Sequence, residues 1–333
     1  MNPIVHALLT AAVAITVWGL WPGGARAQSP PLVNGMPVGL PATLPSSAQP
    51  KVDYDDGIVG RFDVTYLTIP GYRPLKLDIF YAPRASAPRP AVIWLHGGGW
   101  LGGEPLDGTA ITGDRARLLA RMARRGYVMV GLSYRLSGEA RFPAAVEDVK
   151  AAVRWLRANA ANYHIDPRRI ALWGASAGGY LATLTGVTCG VADLEGEGAN
   201  AGESSCVQAV IDWFAPIDFQ VLLAQPGPND AVKRFLGCEN QCPTALLQRS
   251  NPLNYIKAGA PPFLIMHGDA DVLVPMEQSR LLWQALKARG AAARLETVAG
   301  ANHEWGGLTK PQVDRVYATV QDFLDETFAV KAP

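Results

Sequence analysis

From Val52 onward, short runs of apolar and β-branched residues alternate with longer segments whose apolar positions recur at helical spacing. The short runs fall at residues 62–69, 75–81, 91–95, 128–132, 170–173, 209–213, 262–266 and 293–298. Runs 91–95 (AVIWL) and 128–132 (VMVGL) lack polar alternation and predict strands buried on both faces. The first two runs flank a Pro-Gly pair and predict a hairpin. Helical spacing marks 114–125, 146–161, 177–188, 276–289 and 311–328. Strands and helices alternating in this way predict an α/β fold, with a mostly parallel eight-stranded sheet and helices on both faces. Residues 215–260 interrupt the pattern without clear regular structure and contain Gly, Pro and two cysteines. Long loops in compact domains are usually functional, so a small cap insertion over the sheet edge is expected there.

The N-terminal residues stand apart. An apolar run over residues 4–20 leads into Pro22, a Gly pair and Ala25-Arg26-Ala27, a cleavage box of the A-x-A type. Residues 1–27 are therefore expected to be a signal peptide cleaved near Ala27. A membrane anchor is the alternative, because the run approaches the length of a span and no Lys or Arg precedes it. Residues 28–51 are Pro- and Ser-rich and predict a flexible linker, leaving 52–333 as the folded domain with 215–260 as its insertion. The expected product is periplasmic or secreted, without stable membrane association after cleavage.

Cysteine placement fits export. Cys189, Cys206, Cys238 and Cys242 all follow the signal segment, and an even count in an oxidising compartment predicts disulfides. Three connectivities are open; pairing of neighbours, Cys189 with Cys206 and Cys238 with Cys242, is the simplest. The C-x-x-x-C pair has no ligand-rich surroundings, so no metal is expected. A formal net charge of +1, with no basic stretch long enough to track a phosphate backbone, removes nucleic acid as a partner.

The chemistry concentrates in Gly174-Ala175-Ser176-Ala177-Gly178, a G-x-S-x-G sequence between the run IALW and a helical segment. A sharp strand-to-helix turn there exposes the serine hydroxyl at the carboxyl end of a sheet. Serine needs a base to take its proton. Beyond the signal segment there are four histidines. His164 precedes the strand leading to Ser176 and so lies at the opposite sheet edge; His96 leads a glycine run; His267 ends a strand. His303, in the loop after the last strand, is the expected base. The acid that orients it is expected to be Asp271, deeper in the loop after His267 than its alternative, Asp269, whose other role is capping the turn. His96-Gly97-Gly98-Gly99-Trp100 follows AVIWL and predicts an oxyanion hole built from the N–H groups of Gly98, Gly99 and Ala177. Trp100, Trp213, Phe214, Phe219 and Trp305 are candidates to line a substrate pocket, with ordinary core placement the alternative for each. No cofactor is needed.

Several segments recur in this order in one esterase class: HGGGW, Ser133-Tyr134-Arg135-Leu136, Phe142-Pro143-Ala144, DVKAAVRW from Asp148 to Trp155, Ile165-Asp166-Pro167, GASAGG, HGDADVLVP and the final Gly-x-Asn-His. The chain resembles the BD-FAE-like esterases, close to the hormone-sensitive-lipase-type carboxylesterases, over about residues 52 to 325. The resemblance implies an α/β-hydrolase fold and hydrolysis of short-chain or aryl carboxylic esters, acetyl or feruloyl esters of plant polysaccharides among them. The expected partner is accordingly a small-molecule or oligosaccharide ester. It carries catalytic roles onto Ser176, Asp271, His303 and the HGGG glycines. One departure is that residues 28–60 are too polar and Pro-rich to form the helical N-terminal cap of the hormone-sensitive-lipase type, which places substrate gating on 215–260. A serine peptidase or amidase on the same fold, or a catalytically inactive binding module, are the alternative functions.

Overall fold

The structure, a computed structural model, describes residues 50–107, 114–198, 200–225 and 229–330, and a backbone pairing of Leu32–Val33 with Met36–Pro37. The expected signal peptide and most of the expected linker lie outside the described residues. The strands of the main sheet are β1 (Lys51–Asp53), β2 (Val59–Leu67), β3 (Leu75–Tyr81), β4 (Arg89–Leu95), β5 (Val128–Leu132), β6 (Ile165–Ala175), β7 (Ala209–Trp213), β8 (Phe263–Gly268) and β9 (Ala293–Val298). The helices are α1 (Arg115–Arg124), α2 (Ala144–Ala158), α3 (Ala177–Val187), α4 (Phe219–Leu223), α5 (Asn229–Leu236), α6 (Thr244–Arg249), α7 (Glu277–Ala288) and α8 (Lys310–Phe328).

Spatial order in the sheet is β9-β8-β7-β6-β4-β5-β3-β2-β1. The first six strands in that order are parallel, and β3, β2 and β1 extend the sheet antiparallel. Eight strands correspond to the runs that the pattern predicts. The ninth, β1, is three residues long with every side chain exposed, so it has no apolar alternation to read.

The buried runs behave as expected of strands covered twice. In β4, Val92 and Trp94 pack with α1 and α8 on one face, while Ile93 and Leu95 pack with α2, α3 and α7 on the other. Helix α1 is started by Asp114, whose carboxylate accepts from the Arg117 N–H, and α8 by a Thr309–Gln312 capping box. Because the central strands run parallel, their carboxyl ends emerge together, and the loops after β4, β6, β7, β8 and β9 converge on one crevice.

The segment 215–260 is more regular than its sequence predicts: it holds α4, α5, α6 and a 3₁₀ turn at Pro252–Tyr255. At five, eight and six residues, these helices are too short for a 3.6-residue period to stand out. Val232, Phe235 and Leu236 form the buried stripe of α5, which abuts the loop after β4: a Cβ added to Gly99 would lie 3.2 Å from that of Ala231. The disulfides join Cys189 to Cys206 and Cys238 to Cys242, the pairing of sequence neighbours. Among the described residues no helix is long and apolar enough to cross a membrane.

Candidate active site

Ser176 stands between β6 and α3 with φ +52° and ψ −120°, backbone angles that lift its side chain out of both elements. The turn is possible because Gly174 and Gly178 meet there. A Cβ on Gly174 would fall 2.1 Å from the Gly178 carbonyl oxygen, and one on Gly178 would fall 2.2 Å from that of Leu95. The Ser176 N–H donates to the Trp213 carbonyl at 2.8 Å, which anchors the turn to β7.

His303 follows β9 and brings its Nε2 to 3.0 Å from Ser176 Oγ, across 127 residues of sequence. Its Nδ1 lies 2.7 Å from Asp271 Oδ2. The other oxygen of Asp271 accepts from the N–H groups of Leu273 and Val274, both at 2.9 Å. Burial alone would raise the Asp271 pKa. Hydrogen bonds from His267 and His303, the charge of His303 and the Val274 N–H outweigh it and hold the carboxyl well below the usual range. Asp269, the alternative acid, is used elsewhere: its carboxylate accepts from the Gly300 N–H at 2.7 Å and closes the turn after β9.

Three further residues pack around this line, and no motif in the sequence assigns any of them a role in it. Asn302 accepts from both His303 N–H (2.7 Å) and Val272 N–H (3.1 Å), tying the two loops together. His267 is fully buried, with Nε2 2.9 Å from the Val274 carbonyl and 3.3 Å from Asp271 Oδ2, and Nδ1 2.7 Å from Ser279 Oγ. A donating Nε2 and an accepting Nδ1 satisfy all three contacts. Phe214 places its ring 4.7 Å from that of His303. Of the remaining histidines, His164 sits just before β6, at the far edge of the sheet.

The HGGGW loop is held from below. His96 Nδ1 lies 2.9 Å from the Gly97 carbonyl, and its ring stacks on Tyr134 at 4.3 Å. The Tyr134 hydroxyl donates to the His96 carbonyl at 2.8 Å, and burial lowers the His96 pKa, favouring the neutral ring. The next residue, Arg135, donates from Nε to buried Asp148 at 3.0 Å, so the SYRL and DVKAAVRW segments brace the glycine loop against α2. Gly98 (φ +94°) and Gly99 (φ +60°) adopt left-handed backbone. Among the described residues no acceptor takes the N–H of Gly98, Gly99 or Ala177. The first N–H groups of a helix have no intrahelical partner, and Ala177 opens α3.

A cavity of about 300 Å³ opens beside Ser176, with Gly98, Trp94, Trp213, Phe214 and Trp305 in its wall. Three of the five aromatic pocket candidates, Trp213, Phe214 and Trp305, thus line the cavity. Trp100 and Phe219 do not. Trp100 stacks on Phe235 at 4.3 Å and meets Tyr180 and Phe219 edge-on at 5.5 and 5.7 Å. An amphipathic insertion needs an apolar anchor, and this buried cluster supplies it for α4 and α5. Arg115, at the start of α1, also lines the cavity.

Comparison with known proteins agrees with this architecture. The BD-FAE family model matches residues 77–286. The esterase LipQ of Mycobacterium tuberculosis is 30% identical over 266 residues, 77% of this chain and 60% of LipQ; the chain thus spans about 60% of the length of that curated relative. Among solved structures, a truncated carbohydrate esterase from gut microbiota superposes with a TM-score of 0.70 at 29% identity, covering 82% of this chain and 98% of that one. An esterase of Thermogutta terrifontis with bound propionate gives 0.66 at 30%, covering 81% and 94%. The fold is that of the α/β-hydrolases, as the motifs imply.

Proposed function

The chain belongs to the BD-FAE family, and from that premise we propose that it is a serine carboxylic ester hydrolase working through an acyl-enzyme. The observation that carries this reading is the unbroken line from Ser176 Oγ through His303 to Asp271, at 3.0 and 2.7 Å. Ser176 attacks the ester carbonyl while His303 Nε2 accepts its proton. Asp271 holds the imidazole with Nδ1 protonated and stabilises the imidazolium as it forms. The oxyanion is met by the N–H groups of Gly98, Gly99 and Ala177, backbone donors already free and fixed before charge develops. His303 then protonates the leaving alcohol and activates the water that releases the acid.

The cavity volume favours short-chain or aryl acyl groups. Acetyl and feruloyl esters of plant polysaccharides are the polymer-linked substrates in this class, and the likeness to a carbohydrate esterase supports them. The insertion 215–260 is assigned substrate gating, because α5 touches the glycine loop. Disulfides and the A-x-A box together support an exported enzyme whose mature chain begins near Gln28. The direct test is hydrolysis of a p-nitrophenyl series from acetate to palmitate, with mass spectrometry after organophosphate treatment. Short-chain turnover and a covalent adduct on the Ser176 peptide are expected; neither reaction occurring would end the reading.

Two further outcomes follow from the geometry. In Gly98→Ala, the new Cβ would lie 2.3 Å from the Gly102 carbonyl oxygen at a φ of +94°, so the loop must move and an oxyanion donor is lost. A fall in kcat of about 10²- to 10³-fold is expected, and a variant within about twofold of wild type would remove Gly98 from the oxyanion hole. The second outcome concerns pH. Asp271 is held ionised far below the usual range, so it contributes no titration to the acid limb of kcat/KM. With Asp271 contributing nothing, log kcat/KM is expected to fall no more steeply than unit slope as pH is lowered. A slope near two would place a second acid in the relay.

A further inference from the structure

The cavity beside Ser176 has a polar end that ester hydrolysis does not require. Arg115 is 4% exposed and lines it. Its Nε donates to the Asp107 carbonyl at 3.2 Å and its Nη1 to the Tyr317 hydroxyl at 3.1 Å. Its guanidinium lies 4.2 Å from the centre of the Trp94 ring. Among the described residues no carboxylate pairs with it within salt-bridge distance, and none of them provides an acceptor for Nη2. A buried charge is normally paired, since leaving one uncompensated is strongly unfavourable. Neutral partners and a ring face leave this guanidinium, a fixed positive charge, without its counter-ion.

Two neighbours repeat the pattern. The indole N–H groups of Trp94 and Trp305, both in the cavity wall, are buried without an acceptor. From His303 an aromatic row leads to the charge: Phe214 at 4.7 Å, then Trp305 at 4.9 Å, Trp213 at 5.1 Å and Trp94 at 5.8 Å, each measured from the ring before it. The two carboxylates that also line the cavity, Asp107 and Glu304, are on exposed residues. Asp107 already accepts from the Glu104 N–H at 2.6 Å. The interior is thus aromatic and donor-rich, and its acids sit toward solvent.

We propose that Arg115 is a specificity-determining residue and that the site takes aromatic esters carrying a free carboxylate. The carboxylate replaces the missing counter-ion on the guanidinium, and the ring of the substrate packs along the indoles. This inference rests on the ester-hydrolase reading above. The carboxylate can belong to the acid half of the ester or to its alcohol half, and the two sources separate by experiment.

The test compares kcat/KM of the full chain for monoethyl terephthalate with ethyl benzoate, and for 4-acetoxybenzoate with phenyl acetate, using p-nitrophenyl acetate as a common reference. Wild type is expected to favour the charged member of at least one pair. Preference in the first pair puts the carboxylate on the acid half, and preference in the second puts it on the alcohol half. Arg115→Gln is expected to lower the charged-to-neutral ratio by about 10- to 100-fold, mainly through KM. Arg115→Lys, which keeps the charge, should restore part of it. If wild type favours the neutral ester in both pairs, the inference falls whether or not the variants fold. It falls equally if Arg115→Gln still cleaves p-nitrophenyl acetate with the ratio unchanged. Failure of wild type on every ester, p-nitrophenyl acetate included, overturns the hydrolase reading itself.

Discussion

Ser176→Ala is expected to lower kcat/KM for p-nitrophenyl acetate by about 10⁴-fold or more, a loss of at least ~5.5 kcal/mol of transition-state stabilisation. The magnitude follows from what the hydroxyl does. In the proposed mechanism its oxygen forms the acyl bond, and its contact with His303 Nε2 at 3.0 Å is the route by which its proton leaves. Without it, the oxyanion donors and the pocket remain but can only assist attack by water. The fold should not register the change. The unusual turn is imposed by the close approach of Gly174 and Gly178 and by the Ser176 N–H bond to Trp213, and none of these uses the side chain. The half-buried hydroxyl leaves no stranded partner, because His303 can turn to water in the open cavity. A variant melting within a few degrees of wild type yet nearly inert is the expected result. One retaining a tenth of the activity would mean that another group forms the covalent bond.

Ser176 was legible because its chemistry is local. Strand, elbow and helix occupy consecutive residues, and the glycines that permit the turn sit two places to either side. The glycine loop was legible for the same reason. The proposed base is marked by position: of the histidines from His96 onward, His303 alone follows the last strand of a parallel sheet, where carboxyl ends meet. What stayed hidden depends on partners remote in sequence. Arg115 meets Tyr317 across 202 residues, and nothing around an arginine in an amphipathic helix tells that it faces a cavity. His267 looks like the end of a strand, and its contact with Asp271 appears only once the loop folds back.

Aromatic residues show the limit most plainly. Trp100 and Trp305 both adjoin functional motifs, and both have positive φ. One supports the insertion and the other walls the cavity, because the helices that would bury Trp100 are the short ones of 215–260. Their periodicity is too brief to read, so neither they nor the destination of Trp100 could be placed from pattern alone.

Asp271→Asn is expected to cost about 10⁴-fold in kcat, and Asp269→Asn only a few-fold. The amide has the carboxylate's shape but not its uniform acceptor character. In the native protein both oxygens of Asp271 accept, one from the N–H groups of Leu273 and Val274, the other from His303 Nδ1, with His267 Nε2 at 3.3 Å. If Asn keeps its oxygen on the backbone pair, its NH₂ faces both imidazoles. His303 must then shift its proton to Nε2, where it cannot accept one from Ser176. The donating Nε2 of His267, bound to the Val274 carbonyl, also meets a second donor. If the amide turns over, its NH₂ faces two backbone N–H groups instead. Either orientation leaves buried donors opposed, so a stability loss of about 1–3 kcal/mol should accompany the catalytic one. Asp269 needs only one acceptor for the Gly300 N–H, and an amide oxygen supplies that. Measured side by side, the two substitutions separate the acid that orients His303 from the one that closes a turn. Comparable losses at both positions would defeat the assignment of Asp271, and a larger loss at Asp269 would transfer the role to it.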